Sequence, residues 1–353
     1  MKITHIIQHT LIILILLLAA GGAATSHSLA QEPDYFIYLP LIFKAPILWE
    51  EQTSNISSKS INGVGCEPTG VNCAAGGQDV TLKTNDGGTN WSVGSTLADV
   101  NILDVSCGSA SLCVAAGVNS AGTSGVILYS TDGGQTWTRR NEPYQVYAVD
   151  CPNDDNCNAV GKVSEASFTR DGGTTWITTI ELGQRLGNTD LFGVDCVDTI
   201  TCWMVGDGGR TIGIYPNPWG PGGIGVITKL DLFTNPPRTL YDISCVTQDI
   251  CVSVGQAGVI ARSTNATGRS WDTSINSGVI QNLNGVSCPT ASRCYAVGDA
   301  GTMLKSVDGG ITWGRELLPT NVNTVNFEGI ECFSEQTCLA VGSDGTILYR
   351  YSD

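Results

Sequence analysis

The 353-residue chain carries 33 acidic residues against 18 basic ones, with 43 glycines, 14 cysteines and a net charge of −15. That balance argues against nucleic acid or anionic lipid as a main partner, since both need clustered Lys and Arg. With only 14% charged residues, the composition suits short strands and tight turns, not helices or disorder.

The first 30 residues, "MKITHIIQHTLIILILLLAAGGAATSHSLA", read as a secretory signal peptide: one Lys, an apolar run over 11–20, and small residues before cleavage after Ala30. The apolar run is short for a membrane span, which needs about 20 such residues. All three histidines, His5, His9 and His27, fall inside this segment. Losing Lys2 with it leaves 17 basic against 33 acidic residues, a net charge of −16. Residues 31–46 form a linker, apolar over 34–46, and residues 47–353 the expected folded domain. The expectation is a monomer, secreted or held in the cell envelope, with no membrane span.

The cysteines then set a period. They pair as Cys66/Cys73, Cys107/Cys113, Cys151/Cys157, Cys196/Cys202, Cys245/Cys251, Cys288/Cys294 and Cys332/Cys338. The first members stand 41, 44, 45, 49, 43 and 44 residues apart, so each pair occupies the same place in a repeating unit. In the unit "LNGVSCPTASRCYAVGDAGTMLKSVDGGITW", one strand ends at Cys288 and a second covers 294–297. A third covers 302–306, and a fourth starts near Trp313. Four short strands per 40–45 residues, repeated, predict an all-β fold: a seven-bladed β-propeller of four-stranded antiparallel blades. The last unit stops at "GTILYRYSD" before any Trp, and "PILWEEQ" supplies Trp49 ahead of the first cysteine. The N-terminal strand is therefore expected to complete the last blade and leave no open edge.

Cysteines flanking a turn between antiparallel strands lie within reach of each other, and an exported chain meets an oxidising compartment. The pairs are expected to form seven local disulfides, not a metal or redox site.

Four units carry an Asp-Gly-Gly turn closed by Trp: "TNDGGTNW" (84–91), "STDGGQTW" (130–137), "TRDGGTTW" (169–176) and "SVDGGITW" (306–313). The Asp can accept backbone N–H groups within its own turn, Gly permits positive φ, and Trp packs between sheets. The pattern resembles the Asp-box, or BNR, repeat of sialidases and related propellers. That resemblance implies that Asp86, Asp132, Asp171 and Asp308 are structural turn residues on the face opposite a catalytic site. A degenerate copy, "STNATGRSW", lies at 263–271, and "YPNPWGPGG" at 215–223 replaces the box in the fourth unit, with Trp219 expected in the place of the box Trp. Over roughly 49–353 the repeats also resemble the photosystem II assembly factor-like propellers, whose members assist insertion of a photosystem subunit. This chain differs from them in its acidity, its paired cysteines and its lack of an Arg cluster.

A ligand would then meet the other face, on the loops 138–146, 181–190, 233–240 and 314–324. They offer Arg139, Arg140, Glu142, Tyr144, Glu181, Arg185, Arg238, Arg315 and Glu316. The function expected is binding of a protein or polysaccharide without catalysis, a cofactor or a metal. The alternative is a sialidase-like or other BNR-repeat glycoside hydrolase, which needs only two suitably spaced carboxylates. Without His beyond residue 27, Ser-His-Asp hydrolysis and histidine-ligated zinc are excluded.

Overall fold

A computed structural model describes residues 48–56, 58–179, 187–214, 228–233, 236–263 and 270–351. The expected segments 1–30 and 31–46, and the loop "YPNPWGPGG" with Trp219, lie outside them. No helix among the described residues is long and apolar enough to cross a membrane.

Every described sheet is antiparallel. In chain order the strands are β1 (Trp49–Gln52), β2 (Ile61–Cys66), β3 (Cys73–Thr84), β4 (Ser92–Cys107), β5 (Cys113–Val118), β6 (Gly125–Ser130) and β7 (Thr138–Glu142). Next come β8 (Val146–Asp150), β9 (Cys157–Gly161), β10 (Ala166–Thr169) and β11 (Ile177–Thr179). The third set is β12 (Leu191–Cys196), β13 (Cys202–Gly206), β14 (Arg210–Ile214) and β15 (Thr228–Asp231). The fourth is β16 (Leu240–Thr247), β17 (Ile250–Gly255), β18 (Ile260–Ser263) and β19 (Trp271–Asp272). The chain finishes with β20 (Leu283–Ser287), β21 (Cys294–Gly298), β22 (Thr302–Ser306), β23 (Gly314–Arg315), β24 (Phe327–Cys332), β25 (Cys338–Gly342) and β26 (Ile347–Arg350).

The sheets number six, which corrects the expectation of seven four-stranded blades. Five have four strands, and β2 to β7 form one sheet of six. The cause is β4, which runs unbroken through 16 residues. Asn101 pairs with Gln78 on β3 and with Val118 on β5, so the first two cysteine units share one ladder. Three of the other outer-to-inner connections carry a strand-breaking Pro, at Pro143, Pro236 and Pro319, whereas β4, like the connections over 53–60, 180–190 and 273–282, has none. Asp99, at φ 62°, bends β4 without ending it.

The N-terminal strand closes the last sheet, whose order is β1-β26-β25-β24. Apolar clusters join neighbouring units all the way round. One holds Tyr295, Val297, Phe327 and Ala340 together, and another joins Leu339, Val341 and Ile347 to Ile61 and Ala75. The propeller core is therefore a set of layers between sheets, not a single centre.

Each cysteine pair is bonded within its own unit, and none is free among the described residues. The second cysteine of a pair points into the layers between sheets. Cys157, Cys251 and Cys338 are 0% exposed, so these three are core residues that no ligand can reach from solvent. Cys251, bonded to Cys245, packs in one apolar cluster with Trp203, Val205 and Leu240. The bridges lie at the end of each unit where the first strand turns into the second. The Asp-Gly-Gly turns share that end, because Gly309 N–H donates to Ser292 O in the disulfide turn. In the turn at 306–313, Asp308 Oδ1 accepts from Ser306 Oγ at 2.8 Å and Thr312 N–H at 2.9 Å, while Trp313 Nε1 donates to Gly310 O. Gly310 has φ 87°, and a Cβ there would stand 2.8 Å from Val252 Cγ2, so the box needs glycine for its backbone and for its packing.

Candidate functional site: the central channel and its mouth

The first strand of every unit lines a central cavity of about 370 Å³. Its chemistry follows from a shared irregularity. In every unit the ladder between the first and second strands slips by one residue, at Asn62, Leu103, Tyr147, Phe192, Tyr241, Asn284 and Glu328. These are β-bulges, which leave one residue unpaired and re-aim its side chain. The residue just before each bulge is buried: Ile61, Ile102, Val146, Leu191, Leu240, Leu283 and Phe327. The bulged residue joins the cavity lining instead.

Below the bulges, side chains of one first strand clasp the backbone of the next. Immediately before the first cysteine, Ser106, Asp150, Asp195, Ser244 and Ser287 accept the N–H of Cys151, Cys196, Cys245, Cys288 and Cys332 respectively, at 2.7–3.0 Å. Two residues earlier, Asp104 accepts Val149 N–H at 2.9 Å and Asp242 accepts Val286 N–H at 2.7 Å. Glu331 occupies the same place as Asp150 and Asp195, but it accepts no hydrogen bond from any described residue. Its neighbour in the ring, at the corresponding place in β2, is Gly65.

Six carboxylates line the cavity, namely Asp104, Asp150, Asp195, Asp242, Glu328 and Glu331, and no Lys, Arg or His does. Burial lifts Asp104 to about 6 and Asp242 to about 7 against the hydrogen bonds that favour the charged form. Burial, then the charges of Asp150, Asp195, Asp104 and Asp242, push Glu331 well above the carboxylate range. No group of acidic or cysteine side chains suited to a metal ion occurs among the described residues.

At the mouth, on the end away from the disulfides, the bulged residues of three consecutive units form an aromatic arc. Tyr147 and Phe192 stack with centroids 5.1 Å apart, and Phe192 meets Tyr241 edge-on at 6.1 Å. Burial and the charges of Asp190 and Asp207 raise Tyr147, while burial with Asp299 and Asp207 raises Tyr241. The mouth is thus aromatic on one side and acidic around it.

The residues expected from the loops stand elsewhere. Arg139 and Arg140 lie on β7, the outer edge of its sheet, where Arg139 approaches Asp99 at 3.9 Å and Arg140 pairs with the buried Glu142. Tyr144 is exposed in the following loop, and Arg315 is exposed on the outer strand β23. Arg238 lines a separate groove with Phe233, Ile275 and Val279. Glu316 accepts Trp49 Nε1 at 3.2 Å and faces Lys305 and Arg350, so it belongs to the closure. Glu181 and Arg185 lie outside the described residues. None of the seven described ones lines the channel. Each connection runs from an outer strand to an inner one, and Arg139, Arg140, Glu142, Arg315 and Glu316 stand at its outer end. The channel residues instead sit four places before each first cysteine, a signal readable once the units are aligned.

With this geometry in view, a family model described as photosynthesis system II assembly factor YCF48 matches residues 255–352. The chain is similar to YCF48. A structure of YCF48 bound to a D1 peptide superposes with a TM-score of 0.65 at 19% identity, covering 88% of this chain and 97% of that one. YCF48 from Cyanidioschyzon merolae gives 0.64 at 18%, covering 86% and 98%. The GH74 enzyme of Niastella koreensis gives 0.61 at 15%, covering 85% of this chain and 53% of that one. At such identities these likenesses, the YCF48 ones included, establish the shared propeller fold. No curated protein matches the sequence.

Proposed function

We propose that this chain is an exported, non-enzymatic scaffold that holds a segment of a partner protein at the channel mouth. The carrying observation is the ring of seven bulged residues. A fixed frame presents one side chain per unit to a common opening, as a recognition surface requires. The similar YCF48 propeller has been captured with a D1 peptide, which favours a polypeptide over a polysaccharide as the class of partner. Catalysis is disfavoured by the clasps: Asp104, Asp150, Asp195 and Asp242 each hold a backbone N–H of the next unit. A carboxylate so engaged is poorly placed to move a proton for a substrate. Seven disulfides accord with an oxidising compartment.

The test is site-specific photo-crosslinking in the exporting organism from Phe192 and, separately, from Ile311 on the disulfide-bearing end. A polypeptide cross-linked from Phe192 and not from Ile311 is the expected result. Turnover in a glycan-hydrolysis screen, abolished by Glu331→Gln, would overturn the reading in favour of a glycosidase.

A further inference from the structure

We propose that the segment held at the mouth is cationic, and that a Lys or Arg side chain of the partner enters the channel past Tyr147, Phe192 and Tyr241. This rests on the scaffold reading above and adds the chemistry of the partner.

Three observations converge on it. First, the cavity walls carry six carboxyl groups and no basic group, so burial holds these acids toward their neutral form until a cation enters to offset the charge they would carry. Second, the entrance is an arc of three aromatic side chains, and a ring face attracts ammonium or guanidinium groups within about 6 Å. An anionic or plainly apolar segment would gain nothing from the acids that surround this arc. Third, Glu331 lies within the channel without a hydrogen-bond donor among the described residues. Among the other deep acids, Asp104, Asp150 and Asp242 have both oxygens engaged and Asp195 has one, whereas both oxygens of Glu331 remain for an incoming donor. Lys and Arg are the side chains long enough to carry charge past the arc while their methylene stems lie against the rings. The chain's net charge of −15 adds a long-range pull on such a partner, and its loss with salt is a signature of the interaction.

The test uses the folded, oxidised protein and fluorescein-labelled twelve-residue Gly/Ser peptides carrying three Lys, three Arg, three Gln or three Glu, read by anisotropy. The Lys and Arg peptides are expected to bind at least tenfold more tightly than the Gln peptide, with the Glu peptide weakest. The pair Phe192→Leu/Tyr241→Leu should weaken the cationic peptides about tenfold, and so should Glu331→Gln, which removes no hydrogen bond from the fold. Asp154→Asn/Asp155→Asn, on the disulfide-bearing end, should leave binding unchanged. Equal binding of the Gln peptide overturns the inference. So does an equal loss in the Asp154/Asp155 variant, because general acidity would then explain the affinity. If a polypeptide cross-links from Phe192 but its captured segment lacks Lys and Arg, the scaffold reading survives and the cationic one fails. If nothing cross-links and no peptide binds, both fall.

Discussion

Trp49 and Arg350 face each other across the ladder between the first and last strands. Arg350 is 1% exposed, lies 5.3 Å from the Tyr295 ring, and donates to Gln336 O, while Trp49 meets the same ring edge-on at 6.2 Å. Glu316 binds Trp49 Nε1 and lies 4.0 Å from the Arg350 Nε. The first and last described strands are thus locked by one aromatic ring and one carboxylate.

Removing that lock should cost far more than trimming a tail. Trp49→Ala is expected to lower stability by about 3–5 kcal/mol, the range for emptying a large buried aromatic site. Deletion of residues 45–55 should lower it further, because it also exposes the edge of β26. Urea unfolding followed by Trp fluorescence reads both, and a deletion that unfolds with the full chain would refute closure by β1.

The clasps between first strands make a second prediction. Ser287 Oγ accepts the N–H of Cys332 in a buried setting. Ser287→Ala leaves that donor without a partner, which should cost about 1–3 kcal/mol. Ser287→Cys or Ser287→Thr, which keep a side-chain acceptor, separate the lost hydrogen bond from lost volume. Equal destabilisation by Thr and Ala would mean that the hydroxyl is not the acting group.

Each disulfide closes a loop of six or seven residues, for which chain entropy gives roughly 2 kcal/mol. Replacing both Cys288 and Cys294 by Ala should lower the unfolding midpoint by that order without changing the sheet content seen by circular dichroism. Non-reducing peptide mapping should recover only pairs within a unit.

The carboxylates pull stability in two directions with pH. Asp104 and Asp242, raised mainly by burial, bind protons in the folded chain that the unfolded chain has released above about pH 4. Their contribution is complete below that pH and disappears as pH rises through about 6 to 7. Asp132 and Asp308 behave oppositely. Hydrogen bonds from Thr136 and Thr312 hold them down at about 2, so their contribution is present above about pH 4 and lost as pH falls. The melting temperature should therefore peak at mildly acidic pH, and Asp242→Asn should flatten the decline toward neutrality. A melting temperature still climbing at pH 8 would contradict the assignment.

The repeat was legible because cysteine spacing and the Asp-Gly-Gly turns are local signals, tied to one strand pair or one turn. The strand at Trp49 was legible for the same reason, since the last unit lacked a piece found at the other end. The sheet count was not, because it depends on whether β4 breaks, and Asp99 bends the strand without ending it. The channel was hidden for a different reason. Tyr147, Phe192, Tyr241 and Glu331 sit inside strands of ordinary strand-forming pattern, and only the bulge turns the first three inward. Reading function from loop charge instead led to Arg139, Arg140 and Arg315, at the outer edges of their sheets.

The bulge also separates two jobs within six consecutive residues. The buried residue before it and the cysteine after it hold the ring together, so they tolerate little change. Five of the unpaired residues between them, Leu103, Tyr147, Phe192, Tyr241 and Glu328, make no such clasp and span aliphatic, aromatic and acid chemistry on one backbone, whereas Asn62 and Asn284 donate to Ile102 O and Phe327 O of the next unit. Selection, or an engineer, could rewrite what this opening admits by editing those five codons while the architecture stays untouched.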